Sequence, residues 1–171
     1  MAITDDERRE VARWATGSAA RVLALFEAVA PTDARPREAI DIARAFAEGA
    51  GRSRHLTRVA LGAHRAGREV GDPVALAVAR AASLAAATAN IHGEETIGTL
   101  GHILGPAAYA ALARELAAGG DASAADEELG WAIGRASPAI RDLVRRVPAS
   151  GPGGRRLDEI QHRLDVSLRE R

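Results

Sequence analysis

The chain has 171 residues, 23 basic and 23 acidic side chains, a formal net charge of zero, no cysteine and 47% hydrophobic residues. This fits one soluble domain of ordinary size, able to bury about 70% of its unfolded surface without a disulfide or a structural metal. The missing cysteines exclude a disulfide framework, a thiolate zinc site and a cysteine nucleophile, and the balanced charge argues against a protein built mainly to hold nucleic acid.

Helix signals follow one another along the chain. Thr4-Asp5-Asp6-Glu7 has capping-box spacing, which satisfies orphan amides at a helix start. Val11, Trp14, Ala15, Ser18, Val22, Leu25, Phe26 and Val29 then recur at three- and four-residue steps and predict one stripe of a long helix ending before Pro31. Pro36 suits the first turn of a second helix, with Ala39, Ile40, Ala43, Phe46 and Ala47 on one face and Gly49 and Gly51 as its stop. A third helix is expected from near Ser53, carrying Leu56, Val59, Ala60, Ala63 and Gly67 inward and closing at Gly71.

Asp72-Pro73 opens a fourth helix expected to run to about Ile91, its inner face made of Val74, Ala77, Val78, Ala81, Leu84 and Ala85. Next come Ile97, Leu100 and Leu104 with Gly98, Gly101 and Gly105, a series of small residues that allows close helix approach. Pro106 is predicted to end that segment and begin a fresh helix to about residue 118, because it removes an amide and clashes with the preceding turn. Gly119-Gly120-Asp121 punctuates the start of a unit holding Leu129, Ile133 and Ala136, interrupted at Ser137-Pro138 and resumed by Ile140, Leu143, Val144 and Val147. Residues 148–154, Pro-Ala-Ser-Gly-Pro-Gly-Gly, read as a flexible link. Leu157, Ile160, Leu164 and Leu168 give the last helix one apolar stripe, to dock on the bundle or on a second copy. The expectation is an all-α, compact bundle of six to seven helices in a single domain: a core over 1–147, a link over 148–154 and a docking helix over 155–171.

No apolar run approaches the roughly 20 residues of a membrane span. The acidic start, Met1-Ala-Ile-Thr-Asp-Asp-Glu, lacks the basic and apolar regions of a secretory signal, so a cytoplasmic location is expected. All basic residues are arginine, which reads first as GC-rich genome composition rather than as guanidinium chemistry.

Charge is unevenly placed. Residues 35–68 hold eight arginines against three acids, and residues 91–134 hold seven acids against one arginine. Glu94, Glu95, Asp126, Glu127 and Glu128 therefore form a candidate acidic surface for a basic partner, and the arginines one for phosphate or carboxylate; solvated or internally paired helix faces explain the same pattern. His64, His92 and His102 are the plausible acid-base or metal set, yet no HExxH or paired ExxH spacing is present, so no metal and no cofactor are expected. There is no GxSxG, P-loop or strand-borne GxGxxG. With two Phe, one Tyr and two Trp, base-stacking platforms are too few for a nucleic-acid groove. Trp14 and Trp131 read as core or interface anchors.

The run Asp33-Ala-Arg-Pro-Arg-Glu-Ala-Ile-Asp-Ile-Ala-Arg-Ala-Phe-Ala-Glu-Gly49 resembles the Imm-5-like immunity-protein family. The likeness continues through Ala63-His64-Arg65-Ala66, through His102-Ile-Leu-Gly-Pro-Ala-Ala-Tyr-Ala-Ala-Leu-Ala-Arg-Glu-Leu116 and into Arg156-Leu-Asp-Glu-Ile160. The resemblance implies an α-helical protein that neutralises a bacterial toxin. Some members carry an exonuclease-like label, but the Walker loop and metal-binding cluster of such enzymes are not visible in this chain. At Thr88-Ala-Asn90-Ile the chain has Asn90 where related sequences carry a histidine pattern, so no histidine role is transferred there.

The leading expectation is a protein that occludes a toxin without turnover, with Asp33, Arg35 and Arg37 and the face holding His64 and Arg68 as first candidates for a polar site, because arginine forks grip carboxylates. The first three residues equally suit a clamp at a helix start. Two competing expectations stand beside it: a small-molecule binder or hydrolase with a pocket of His64, His92, His102 and Tyr109, and a homodimeric helical scaffold joined through its last helix.

Overall fold

Thr4 starts the first helix as its spacing implies: the Thr4 hydroxyl accepts from the Glu7 amide, and the Glu7 carboxylate accepts from the Thr4 amide at 2.8 Å. The computed structural model describes residues 2–91 and 97–170. They form α1 (Asp5–Val29), α2 (Arg35–Ala47), α3 (Arg54–Val70), α4 (Pro73–Ala87), a 3-10 turn at Thr88–Asn90, α5 (Ile97–Ala117), α6 (Ala122–Arg135), α7 (Pro138–Arg146) and α8 (Arg156–Glu170), with no strand among the described residues.

Helix α4 is the hub, packed against α1, α2, α3 and α5. Ala75, Ala77, Val78, Ala79, Ala81, Ala82, Ala85 and Ala86 are all buried, so its side chains meet neighbours on nearly every side. Small side chains let several helix axes come close to one core helix. The approach is closest at two glycines. A Cβ on Gly67 of α3 would stand 2.7 Å from the Ala79 Cβ, and one on Gly105 of α5 would stand 2.6 Å from Leu84 Cδ1. Gly98 is exposed and a Cβ on Gly101 would meet nothing within 4 Å, so of the expected close-packing series Gly105 is where two helices touch.

A second body of core lies at the other end of α1 and α5. There the Trp14 indole donates to the Ala132 carbonyl at 2.8 Å, and Leu100, Ile103, Leu104, Leu143, Ile160, Leu164 and Leu168 are fully buried. The stripe of α8 is thereby consumed within the chain, against α5, α6 and α7. Ion pairs fasten these elements: Arg146 with Glu7 at 2.6 Å joins α7 to α1, and Arg156 with Glu115 at 2.8 Å joins α8 to α5. Residues 148–154 carry no helix but are tied to α8. The Ser150 amide donates to Asp165 Oδ2 at 2.8 Å, and the His162 ring donates to the Ser150 carbonyl at 2.8 Å.

The described residues contain eight α-helices rather than six or seven. One cause is Ala136, whose extended backbone separates α6 from α7 and lets Ser137 cap a new helix through the Ile140 amide. Conversely, Pro106 does not divide α5. Ile103 and Leu104 before it and Ala107 and Ala108 after it are all buried in one register, and that burial outweighs the roughly 3 kcal/mol cost of an interior proline. Helix α4 ends at Ala87 rather than near Ile91, and Val29 at the end of α1 is 47% exposed rather than inward.

Candidate binding surface

Helix α3 is bounded by Ser53 in an extended conformation and by Gly71 in the left-handed region, φ 74°. Its buried residues, Leu56, Val59, Ala60, Ala63, Ala66 and Gly67, occupy one side and pack on α4 and α2. The helical period then dictates the opposite side: Arg54, Arg58, Leu61, Arg65 and Arg68, all exposed. Leu61 is 52% exposed at the middle of this stripe.

These arginines form a row of exposed guanidinium groups on one helix face without carboxylate partners among the described residues. Among the described residues, Arg54, Arg65 and Arg68 make no hydrogen bond or ion pair, and Arg58 meets only the His55 ring, 2.6 Å from Nδ1. Many arginines elsewhere are spent on carboxylates inside the fold, as in Arg21 with Glu128 at 2.6 Å, Arg37 with Glu27 at 2.7 Å and Arg163 with Asp126 at 2.7 Å, while exposed Arg135 lies against the Trp131 ring.

Beside this ridge, between α3, α4 and the start of α5, lies a groove of about 950 Å³. Ala60, Leu61, Leu84, Ala87 and Ile91 give it apolar walls, while Thr57, Ser83, Asn90 and Thr99 supply polar edges. His64 and His102 both line it. Arg80 Nη1 lies 2.5 Å from His64 Nδ1. Because a guanidinium only donates, Nδ1 accepts and the neutral ring carries its proton on Nε2. Burial pushes the His64 pKa below the usual histidine value, and the charges of Arg80 and Arg68 push it the same way. His102 is exposed and its Nδ1 donates to the Gly98 carbonyl at 2.9 Å. A second concavity of about 570 Å³ lies among the ridge side chains Arg54, Arg58, Leu61 and Arg65, reaches Arg35 and Gly62, and shares Thr57 and Leu61 with the first.

The sequence-derived candidates separate on this map. His64 and His102 share a groove, and Arg68 stands on the ridge beside them. Tyr109 is half-buried against core alanines and is not part of the groove lining. Asp33, Arg35 and Arg37 are joined internally. Asp33 accepts from the Arg35 guanidinium at 2.7 Å and from its amide at 3.1 Å, Arg35 also reaches Glu69 at 2.7 Å, and Arg37 holds Glu27. Their hydrogen bonds hold Asp33 and Glu27 below the ordinary carboxylate range and raise Arg35. This network ties the start of α2 to α1 and to the end of α3.

Of the acidic group, Glu128 is 3% exposed and faces Arg21 and Arg114, and Asp126 pairs with Arg163. Glu127 is exposed. His92, Glu94 and Glu95 lie outside the described residues. No group of three or more His, Asp or Glu side chains among the described residues is placed to hold a metal ion. No described helix is long and apolar enough to cross a membrane.

Sequence reading included Arg54, Arg58 and Arg65 only within the arginine-rich stretch 35–68 and did not single out Leu61 or Arg80. The signal was present in the four-three-four-three spacing of Arg54, Arg58, Leu61, Arg65 and Arg68, opposite the apolar stripe. The family model described as Imm-5 like putative immunity protein matches residues 1–139, a span that contains the ridge and both concavities. No curated protein and no solved structure matches the chain.

Proposed function

Since the chain belongs to the Imm-5 like putative immunity protein family, we propose that it neutralises a cognate bacterial toxin in the cytoplasm by direct binding, with the exposed face of α3 and the adjoining groove as its contact surface. The observation that carries this reading is the set of exposed arginines on α3 without carboxylate partners among the described residues. Charges already paired inside a fold have little left to offer a partner; these retain their capacity for forked bonds to an incoming carboxylate. The ridge rests on a helix anchored by six buried residues, so its backbone loses little ordering entropy when it is engaged and the cost falls on fixing the arginine side chains.

The experiment is calorimetric titration of the C-terminal domain of a toxin encoded beside this gene. A saturable one-to-one complex that suppresses the toxin's activity is the expected result. Lack of binding to every toxin encoded in the neighbourhood would overturn the reading.

A second reading, a small-molecule binder, is favoured by one feature: His64 and His102 line a groove of about 950 Å³, the size of an ordinary ligand site. A metabolite that raises the melting temperature of the native chain but not of the His64→Ala, His102→Ala variant supports it. A homodimer would need an apolar face other than the α8 stripe, which is buried within its own chain.

A further inference from the structure

Helix α3 carries two stripes of the same pitch, one buried and one exposed. The exposed one, Arg54, Arg58, Leu61, Arg65 and Arg68, advances in steps of four, three, four and three residues. It therefore runs nearly straight along the helix for about 21 Å, and it repeats at the average period of 3.5 residues at which two helices stay in register. A single apolar side chain, Leu61, sits at its centre with two arginines on either side.

We propose that this stripe is a docking ridge for an acidic amphipathic helix of the partner, laid along α3 with carboxylates meeting the four arginines and one apolar side chain over Leu61. The identity of the partner as a toxin rests on the immunity reading; the chemistry of the docking element rests on the ridge itself. Three observations select a helix of that composition. The charges of the stripe are of one sign and lack carboxylates among the described residues, Glu69 at the end of α3 being held by Arg35, so the complementary surface is acidic. The spacing matches that of carboxylates on a second helix, which repeat by the same rise and turn. The ridge is also bordered on its α4 side by the groove of about 950 Å³, into which side chains beside the partner's stripe can settle, and a concavity of about 570 Å³ among Arg54, Arg58, Leu61 and Arg65 themselves leaves room for carboxylates between the guanidinium groups. A nucleic-acid backbone would satisfy the arginines but leave Leu61 against phosphate, where its apolar surface gains nothing.

The probe is a synthetic helical peptide of roughly 20 residues with glutamates at four positions in the same step pattern and leucine at the central one, compared with a shuffled peptide of identical composition. The native chain is expected to bind the patterned peptide at least about tenfold more tightly than the shuffled one, and more weakly as salt is raised. Arg58→Glu with Arg65→Glu, and separately Leu61→Asp, should each cut the affinity by about tenfold or more. All three positions are exposed, so an unchanged circular dichroism spectrum and unfolding midpoint can accompany the loss. Equal affinity for the two peptides, no binding of either, or preferential binding of a short nucleic-acid duplex overturns the proposal. The toxin domain titrated in parallel separates the two claims. If it binds native chain and variants alike, the ridge proposal falls and the immunity reading stands; if it fails to bind native chain while the patterned peptide binds, the reverse holds.

Discussion

Arg21 Nε lies 2.6 Å from the Oε1 of Glu128, joining α1 to α6 across 107 residues of sequence. The carboxylate is 3% exposed, and the same guanidinium sits 4.4 Å from the centre of the Trp131 ring, so one arginine neutralises a buried charge and covers an aromatic face. A buried acid of this kind is tolerated only with its partner in place.

Arg21→Ala is therefore expected to lower stability by about 3 kcal/mol, since Arg114, at 3.5 Å from Glu128, can only partly replace it. Replacing both partners by apolar residues, Arg21→Met with Glu128→Leu, should recover most of that loss because no charge remains buried. Arg44→Ala, which breaks an exposed pair with Asp41, should change stability by less than about 0.5 kcal/mol. Urea denaturation of the four proteins distinguishes these effects.

Three helix glycines make a graded test of packing. Gly67→Ala should destabilise by about 1–3 kcal/mol, because the new methyl meets the Ala79 Cβ and lies 3.3 Å from the Leu76 backbone, neither of which can swing aside. Gly105→Ala should cost less, since it meets the end of the Leu84 side chain. Gly101→Ala, with nothing within 4 Å, should stabilise by about 0.5–1 kcal/mol through helix propensity alone. The order of melting temperatures checks the series.

His64 makes stability depend on pH in a defined direction. Its pKa in the fold is depressed below 6.5, first by burial and then by Arg80 and Arg68, so the unfolded chain binds this proton more readily than the folded one. The contribution is complete above the unfolded value and is lost as pH falls below it. His64→Gln should accordingly flatten the decline in unfolding free energy between about pH 7 and pH 5 relative to the native chain, measured by denaturation at several pH values. An equal slope in both proteins would contradict the assignment.

The terminal helix can be tested side chain by side chain. Leu164→Ala should cost about 2–5 kcal/mol, because Leu164 is fully buried. Val166→Ala, two residues on and 37% exposed, should cost under about 1 kcal/mol. Comparable effects at the two positions would mean that α8 is not seated on this face.

Much of the fold was legible in short stretches of sequence. Thr4 with Glu7, Asp72 with Pro73, and Gly71 each act on neighbours within one turn, so their roles as caps and stop follow from local chemistry. Pro106 misled because its local penalty is real, yet Ile103, Leu104, Ala107 and Ala108 bury against distant parts of the chain and hold the helix together. The division at Ala136 was harder to place as a full break, since Ser137-Pro138 suits both an interrupted helix and a new one.

By itself, the sequence determined that this protein is a set of amphipathic helices with uneven charge, because periodicity, caps and composition act over a few residues. Which arginines would be paired with carboxylates and which would remain available was decided by tertiary structure alone. Glu128 reaches Arg21, Glu69 reaches Arg35, and none of the described carboxylates reaches Arg54, Arg65 or Arg68. A forked ion pair forms only within a few ångströms, and that distance is set by how whole helices pack rather than by how far apart two residues lie in the chain.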